Sequence, residues 1–218
     1  MTGPSQYSMD FGVTEAYSAT DFLVAPCNAT AHGWLTRWPD WPSFGLALCG
    51  PEGCGKTHLV HIFREHSAGV VVAGPALTKD AVPDLERFAA VVVDDADRCR
   101  DETALFHLHN LVRESGHSLL LTGIDPPARW PLDLADLRSR LAALTVATVE
   151  PPDDALLHAV LLKLFADRQI RVAPDIPAYL VPRMERSFAA ARALVDAIDR
   201  HALSLGRAVT VPLVREVL

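Results

Sequence analysis

Short apolar runs and longer amphipathic stretches alternate along most of this chain. Residues 44–49, 70–73, 88–93, 118–123 and 144–149 are compact runs dominated by Val, Leu and Ala. Runs of that length with few polar positions suit strands buried on both faces of a parallel sheet. Between them the apolar spacing changes to every three or four residues. Residues 28–38, 58–63, 102–115 and 134–141 have this helical period, with Leu105, Leu108, Leu111 and Val112 marking one buried stripe. Asn28 is the expected N-cap of the first of these helices. Residues 76–85 read as a connection with helical turns. Strands alternating with helices predict a doubly wound, mostly parallel α/β sheet.

The pattern changes after residue 150. Pro151-Pro152 breaks the chain, and everything beyond reads as helix. Asp153 or Asp154 caps a helix to about residue 168, and residues 175–184 form a short one. Ser187 caps a long helix through residue 205 that Gly206 ends, and Thr210-Val211-Pro212 opens a last one. The expected organisation is a mobile tail at 1–20, an α/β domain at 21–150 and a small all-helical domain at 151–218.

One turn between a strand and a helix carries chemistry. Gly50-Pro51-Glu52-Gly53-Cys54-Gly55-Lys56-Thr57 fits G-x-x-x-x-G-K-T, the phosphate-binding P-loop. Glycines let the backbone curl so that successive N–H groups face an anion, and the following helix adds its positive end. The candidate nucleotide contacts are Gly50, Pro51, Glu52, Gly53, Cys54, Gly55, Lys56, Thr57 and His58. Lys56 would reach the β- and γ-phosphates, and Thr57 would ligate Mg²⁺.

The 88–93 run ends in Asp94-Asp95. By itself this is a strand followed by an Asp-rich turn. Downstream of a P-loop it reads as the acidic strand end that holds Mg²⁺ through Asp94 and orients the attacking water through Asp95. In a parallel sheet a ligand lies beyond the strand C-termini, so Thr122, Gly123, Ile124 and Asp125 should approach the same place. Trp34, Trp38 and Trp41 are expected to pack under or beside that site.

Composition adds mainly exclusions. Half of the 218 residues are hydrophobic and 22% are charged, enough for a packed core. The net charge is −7. Residues 1–150 carry 11 basic and 19 acidic side chains, and residues 151–218 carry 9 and 8. Neither part has the basic footprint of a protein that grips DNA directly. The four cysteines, Cys27, Cys49, Cys54 and Cys99, lack C-x-x-C spacing, which argues against zinc or a disulfide framework. No signal peptide or membrane-length apolar run is visible, and a cytoplasmic location is expected. In the tail, Gln6-Tyr7-Ser8-Met9-Asp10-Phe11 is either a groove-docking peptide or a featureless stretch; the hexamer alone does not separate them.

Together, the P-loop, the Val-Val-Val-Asp94-Asp95 strand, the Leu-Arg-Ser-Arg140 helix and the helical end resemble the AAA+ ATPases. More narrowly they resemble the DnaA/Hda family of replication proteins, including the HdaA-like members of alphaproteobacteria. The likeness runs from about Phe22 to Leu218, and residues 206–218 are similar to the end of the AAA+ module in both branches. DnaA continues into a helix-turn-helix domain. The sequence here stops before one, as Hda does.

The resemblance implies a P-loop AAA+ module with a helical lid domain, holding ADP or ATP with Mg²⁺. Hda-like proteins carry an N-terminal peptide for the DNA polymerase sliding clamp, which implies that Gln6, Met9 and Phe11 bind the clamp's β subunit. The implied function is negative regulation of initiation: the clamp-bound protein makes ATP-loaded DnaA hydrolyse its nucleotide. Arg140 would be the arginine finger, although from the residues alone a surface arginine paired with Asp136 is the simpler reading. A homodimer is among the assemblies the resemblance allows.

Two departures bear on catalysis. The polar sensor residue expected after Thr122-Gly123 falls on Ile124 or Asp125. The lid arginine expected to reach the phosphates falls at about Ala190. Arg192 comes two residues later, about 200° around a helix. At most weak intrinsic ATPase activity is therefore expected. The alternative is a self-sufficient AAA+ ATPase such as a helicase loader.

Overall fold

The computed structural model describes residues 22–218, so Gln6, Met9 and Phe11 lie outside the described residues. Five strands form one parallel sheet: β1 (Gly45–Cys49), β2 (Val70–Ala73), β3 (Ala90–Asp94), β4 (Ser118–Gly123) and β5 (Thr145–Thr148). Their order across the sheet is β2-β3-β4-β1-β5. All five strand runs are where the apolar pattern places them, with ends that agree to within two residues.

The sheet is covered on both faces, as a parallel sheet requires. On one face, α1 (Pro26–Thr36) and α2 (Lys56–Ser67) pack Ala31, Leu35, Leu59, Val60 and Phe63 against Leu46, Leu48, Val92 and Leu120. On the other, α3 (Glu102–Glu114) and α4 (Ala135–Ala142) pack Leu105, Leu108, Leu137 and Leu141 against Val91, Val93, Leu119 and Leu121. Alternate strand residues serve opposite faces because successive side chains point to opposite sides. Four further helices, α5 (Asp154–Asp167), α6 (Asp175–Leu180), α7 (Phe188–Leu205) and α8 (Val211–Arg215), enclose a separate core. Leu157, Leu161, Phe165, Ile176, Val195, Ile198 and Val214 fill it.

Local physics explains where the helices begin and end. Asp153 and Ser187 cap α5 and α7 by accepting from Leu156 N and Ala190 N. Gly206 ends α7 in the left-handed conformation, at φ 60°. The 175–184 stretch is α-helical only to Leu180, then tightens into a 3-10 turn, Val181–Arg183. Pro182 lacks the N–H that another α-helical turn would use.

Two expectations are corrected. Asn28 is not the N-cap of α1, because Pro26 starts that helix after Ala25. Asn28 is the third residue of the helix, buried, accepting from Ala25 N at 2.9 Å and donating to Leu23 O at 3.0 Å. Trp38 and Trp41 do not flank the strand C-termini. Trp38 Nε1 donates to the hydroxyl of Ser118 at 2.9 Å, and Ser118 opens β4. Trp38 and Trp41 both pack on Phe63, late in α2, at the end of the sheet away from the P-loop. Their length lets them fill the space below α1 and α2.

The central strand is the most sensitive place to probe this packing. Leu120→Ala should lower unfolding free energy by about 2–5 kcal/mol in denaturant titration, from lost burial and the cavity left behind. A loss below about 1 kcal/mol would mean that β4 is not the buried centre of the sheet.

Candidate functional site

The loop from β1 to α2 has the backbone its glycines allow. Gly53 and Gly55 have φ of 72° and 102°, left-handed values that cost other residues steric strain. Gly50 is required for a different reason. A Cβ there would stand 2.2 Å from Val149 O and 3.0 Å from Cys54 Sγ. Its N–H is shared between Gly123 O at 3.2 Å and Ile124 O at 3.1 Å, which stitches the loop to the end of β4.

Lys56 opens α2 and is only 8% exposed. Its Nζ donates to Gly50 O at 2.7 Å and Pro51 O at 3.0 Å, so the ammonium lies across the loop. Among the described residues no carboxylate pairs with it. A buried ammonium satisfied only by neutral carbonyls is matched to an anionic ligand. Thr57, next in the helix, is exposed. His58 receives the Phe22 ring edge-on at 5.2 Å, and Phe22 also stacks on His32 at 5.5 Å. Glu52 is paired with Arg98. Cys49 and Cys54 are packing residues: burial pushes the Cys49 thiol up to about 11, against the opposing pull of Lys56, and raises that of Cys54.

The acidic strand end meets this loop through β4, which lies between β3 and β1. Thr122 donates its hydroxyl to Asp94 Oδ1 at 2.6 Å and accepts from Asp95 N at 2.8 Å. One fully buried hydroxyl thus fixes both acidic residues. Asp95 has φ 53°. That strained turn is held in a tight space, since a Cβ on Gly74 would lie 2.2 Å from Asp95 O. Burial, and then the nearby Asp94, hold the Asp95 carboxyl above its ordinary range, while Arg98 pulls it down.

Several residues enter the site without a sequence signal that singled them out. Asp97 Oδ2 accepts from Ile124 N at 2.8 Å and so fixes the turn after β4, while its Oδ1 is buried without a partner among the described residues. Arg98 reaches both Glu52 and, at 3.8 Å, Asp95. The helical bundle also arrives here. Phe188 N donates to Gly53 O at 2.9 Å, and Cβ atoms on Gly53 or Gly55 would meet Ser187 or the Phe188 ring at 2.8 and 3.2 Å.

The two sensor candidates separate. Ile124 is exposed with its N–H on Asp97, and Asp125 turns outward to Arg129 at 3.5 Å. On α7, Ala190 occupies the first turn, where its N–H is capped by Ser187. The neighbouring Arg186 pairs with Asp154 at 2.9 Å. Arg140 has its contacts on α3 and α4: Asn110 Oδ1 at 2.6 Å, Asp136 at 3.4 Å, and the Phe106 ring at 4.9 Å.

These donors fit a magnesium nucleotide. A polyphosphate would find the N–H groups of a glycine turn, the Lys56 ammonium and the start of α2, a 12-residue helix. Thr57 and Asp94 carry oxygen atoms of the hard kind that Mg²⁺ prefers and would be the residues to hold it.

Comparison with known proteins points in one direction. Residues 154–218 match the family model described as Hda, lid domain. Domain III of the Thermotoga maritima replication initiation protein DnaA is similar over 93% of this chain and 95% of its own, with 18% identity and a TM-score of 0.80. AMPPCP-bound DnaA from Aquifex aeolicus is similar over 88% and 68%, with 14% identity and a TM-score of 0.73. A Thermotoga maritima RuvB mutant, K64R, is similar over 88% and 67%, with 13% identity and a TM-score of 0.71. The sheet and bundle therefore share the fold of these proteins, and residues 154–218 are similar to the Hda lid domain.

The raised Asp95 carboxyl has a consequence for stability. Unfolded, it titrates near 3.8; folded, it titrates higher. Between those values the folded protein keeps a proton that the unfolded chain has lost, so stability falls as pH rises through that window. Asp95→Asn should melt at a higher temperature than the parent at pH 7, and the gain should vanish below pH 3.8. Asparagine also tolerates the left-handed backbone. Equal melting temperatures across that range would contradict the assigned burial.

Proposed function

We propose that this DnaA-related, Hda-like AAA+ protein is a nucleotide-bound negative regulator of replication initiation, tethered to the sliding clamp and acting on DnaA. The reading takes the P-loop as an ADP or ATP site, as AMPPCP was bound in the Aquifex DnaA. Lys56 and the N–H groups of residues 50–57 would hold the phosphates, with Thr57 and Asp94 as ligands for Mg²⁺. The ion supplies charge neutralisation on the phosphate oxygens when bound. Asp95 would orient water. Turnover would be weak, because alanine stands at position 190 where a lid arginine is expected, and of the two sensor candidates Ile124 is apolar and Asp125 pairs with Arg129. The nucleotide would then act chiefly as a ligand joining the P-loop to the lid that rests on Gly53.

The observation that carries the regulatory reading is the setting of Arg140. It is about one-third exposed, with its contacts on α3 and α4. An arginine so placed can serve a nucleotide held by another subunit. There it would neutralise charge developing on the transferred phosphoryl group, a contribution of about 10³–10⁵ in rate in other systems. Gln6, Met9 and Phe11 would provide clamp attachment. The acidic balance of residues 1–150 fits a protein that reaches DNA through partners.

Three variants of the full chain test the reading, assayed with loaded clamp and ATP-bound DnaA. Lys56→Ala should weaken ADP affinity at least tenfold. Arg140→Ala should keep nucleotide and clamp binding but abolish stimulated hydrolysis. Gln6→Ala with Phe11→Ala should lose clamp binding. Undiminished stimulation by Arg140→Ala would overturn the finger assignment, and unchanged clamp affinity in the tail variant would overturn the tether.

A further inference from the structure

We infer that Asn110 is a positioning residue for Arg140, and that with the Phe106 ring it forms a fixed seat from which the guanidinium is presented to a partner's phosphate. This deepens the proposed function and rests on it.

The geometry is specific. Arg140 comes from the last turn of α4, whereas Asn110 and Phe106 lie one helical turn apart on α3. A residue pair at that spacing shares one helix face. Asn110 Oδ1 accepts from Arg140 Nη1 at 2.6 Å, a short charge-assisted bond. The guanidinium carbon stands 4.9 Å from the centre of the Phe106 ring. Asp136, one turn back on α4, adds a contact at 3.4 Å.

These three contacts differ in what they can fix. The Asp136 carboxylate is 76% exposed, and an exposed i,i+4 pair is weak and screened by salt. Asn110 is half-buried on the face of α3 beside His109, which is itself buried under the Phe44 ring at 5.0 Å. Burial, opposed by a hydrogen bond to Asn110 and reinforced by Arg140 and Arg113, lowers the affinity of His109 for a proton. Asn110 therefore stands on a rigid part of the core and presents an uncharged acceptor.

That neutrality suits the role. A carboxylate in place of Asn110 would neutralise the guanidinium and compete with a phosphate. A neutral amide oxygen orients Arg140 without cancelling its charge. Of the five N–H groups of the guanidinium, the bonds to Asn110 and Asp136 engage two. The remaining donors, on a side chain 33% exposed, are available to an incoming phosphate. A long arginine otherwise surrenders rotamer freedom at the moment of reaction, and a preformed seat removes that cost in advance.

The test measures stimulated ATP hydrolysis by DnaA against the concentration of clamp-bound full chain, for wild type, Asn110→Ala, Asn110→Asp, Phe106→Leu and Arg140→Ala. Asn110→Ala should lower the maximal stimulated rate about tenfold, with little change in half-saturating concentration or in this chain's ADP affinity. Asn110→Asp keeps the acceptor but neutralises the finger, so it should also lower the maximum, and raised salt should partly restore it. Phe106→Leu keeps the apolar volume and should lose about threefold. Wild-type maxima in Asn110→Ala and Phe106→Leu, beside an inactive Arg140→Ala, would overturn the seat and leave the finger standing. Full stimulation by Arg140→Ala would overturn both. If Asn110→Ala fails to fold by circular dichroism, Phe106→Leu and the salt response of Asn110→Asp decide the matter: normal maxima in both would reject the seat.

Discussion

The placement of β4 between β1 and β3 is the constraint on which the site depends. The P-loop leaves β1, the acidic pair ends β3, and neither strand touches the other. They meet because β4 pairs with both in parallel register and ends beside them. The join is made by few atoms. Gly50 N is shared by two carbonyls at the end of β4, and the Thr122 hydroxyl holds Asp94 and Asp95 together. Each bond is individually modest, about 1 kcal/mol net, yet each is buried and therefore costly to leave unmade. Right-handed crossovers between parallel strands carry the connecting helices to alternate faces and leave the strand C-termini clear for a ligand.

The helical lid extends the same arrangement. It touches the loop at its most constrained glycines, through a backbone bond to Gly53 O and the Phe188 ring over Gly55. Where α7 faces Gly53 its neighbouring side chains are small, Ser187 and Ala189. A nucleotide held at Gly53 and Gly55 would couple its occupancy to lid position, because the lid touches the same two residues. Arg140, on the opposite face of the sheet from α2, is fixed by α3 and α4 and does not depend on that contact.

Much of this was legible in the residues. Apolar runs located all five strands, and capping residues located α5 and α7, because burial and unpaired backbone groups are strong local demands. The P-loop was legible because its glycines answer a backbone requirement that few other sequences meet. What escaped was non-local. Asn28 is an exception, since Pro26 two residues earlier is a local start signal that competes with the asparagine as a cap. Trp38 and Trp41 were misplaced because their apolar character says that they pack, and not at which end of the sheet. Asp97, Arg98 and Asn110 acquired roles only from neighbours 27, 46 and 30 positions away, through contacts that no periodicity encodes.

The central claim is that the loop and the acidic strand end act as one magnesium–nucleotide site because Thr122 joins them. Equilibrium binding of a fluorescent ADP analogue to the full chain, in Mg²⁺ and in EDTA, tests it most directly when Thr122→Val is compared with the parent. The account requires tighter binding in Mg²⁺ for the parent, and loss of most of that gain in the variant while the EDTA affinity is kept. A parent that binds no adenine nucleotide, or a variant whose Mg²⁺ gain is undiminished, would contradict it.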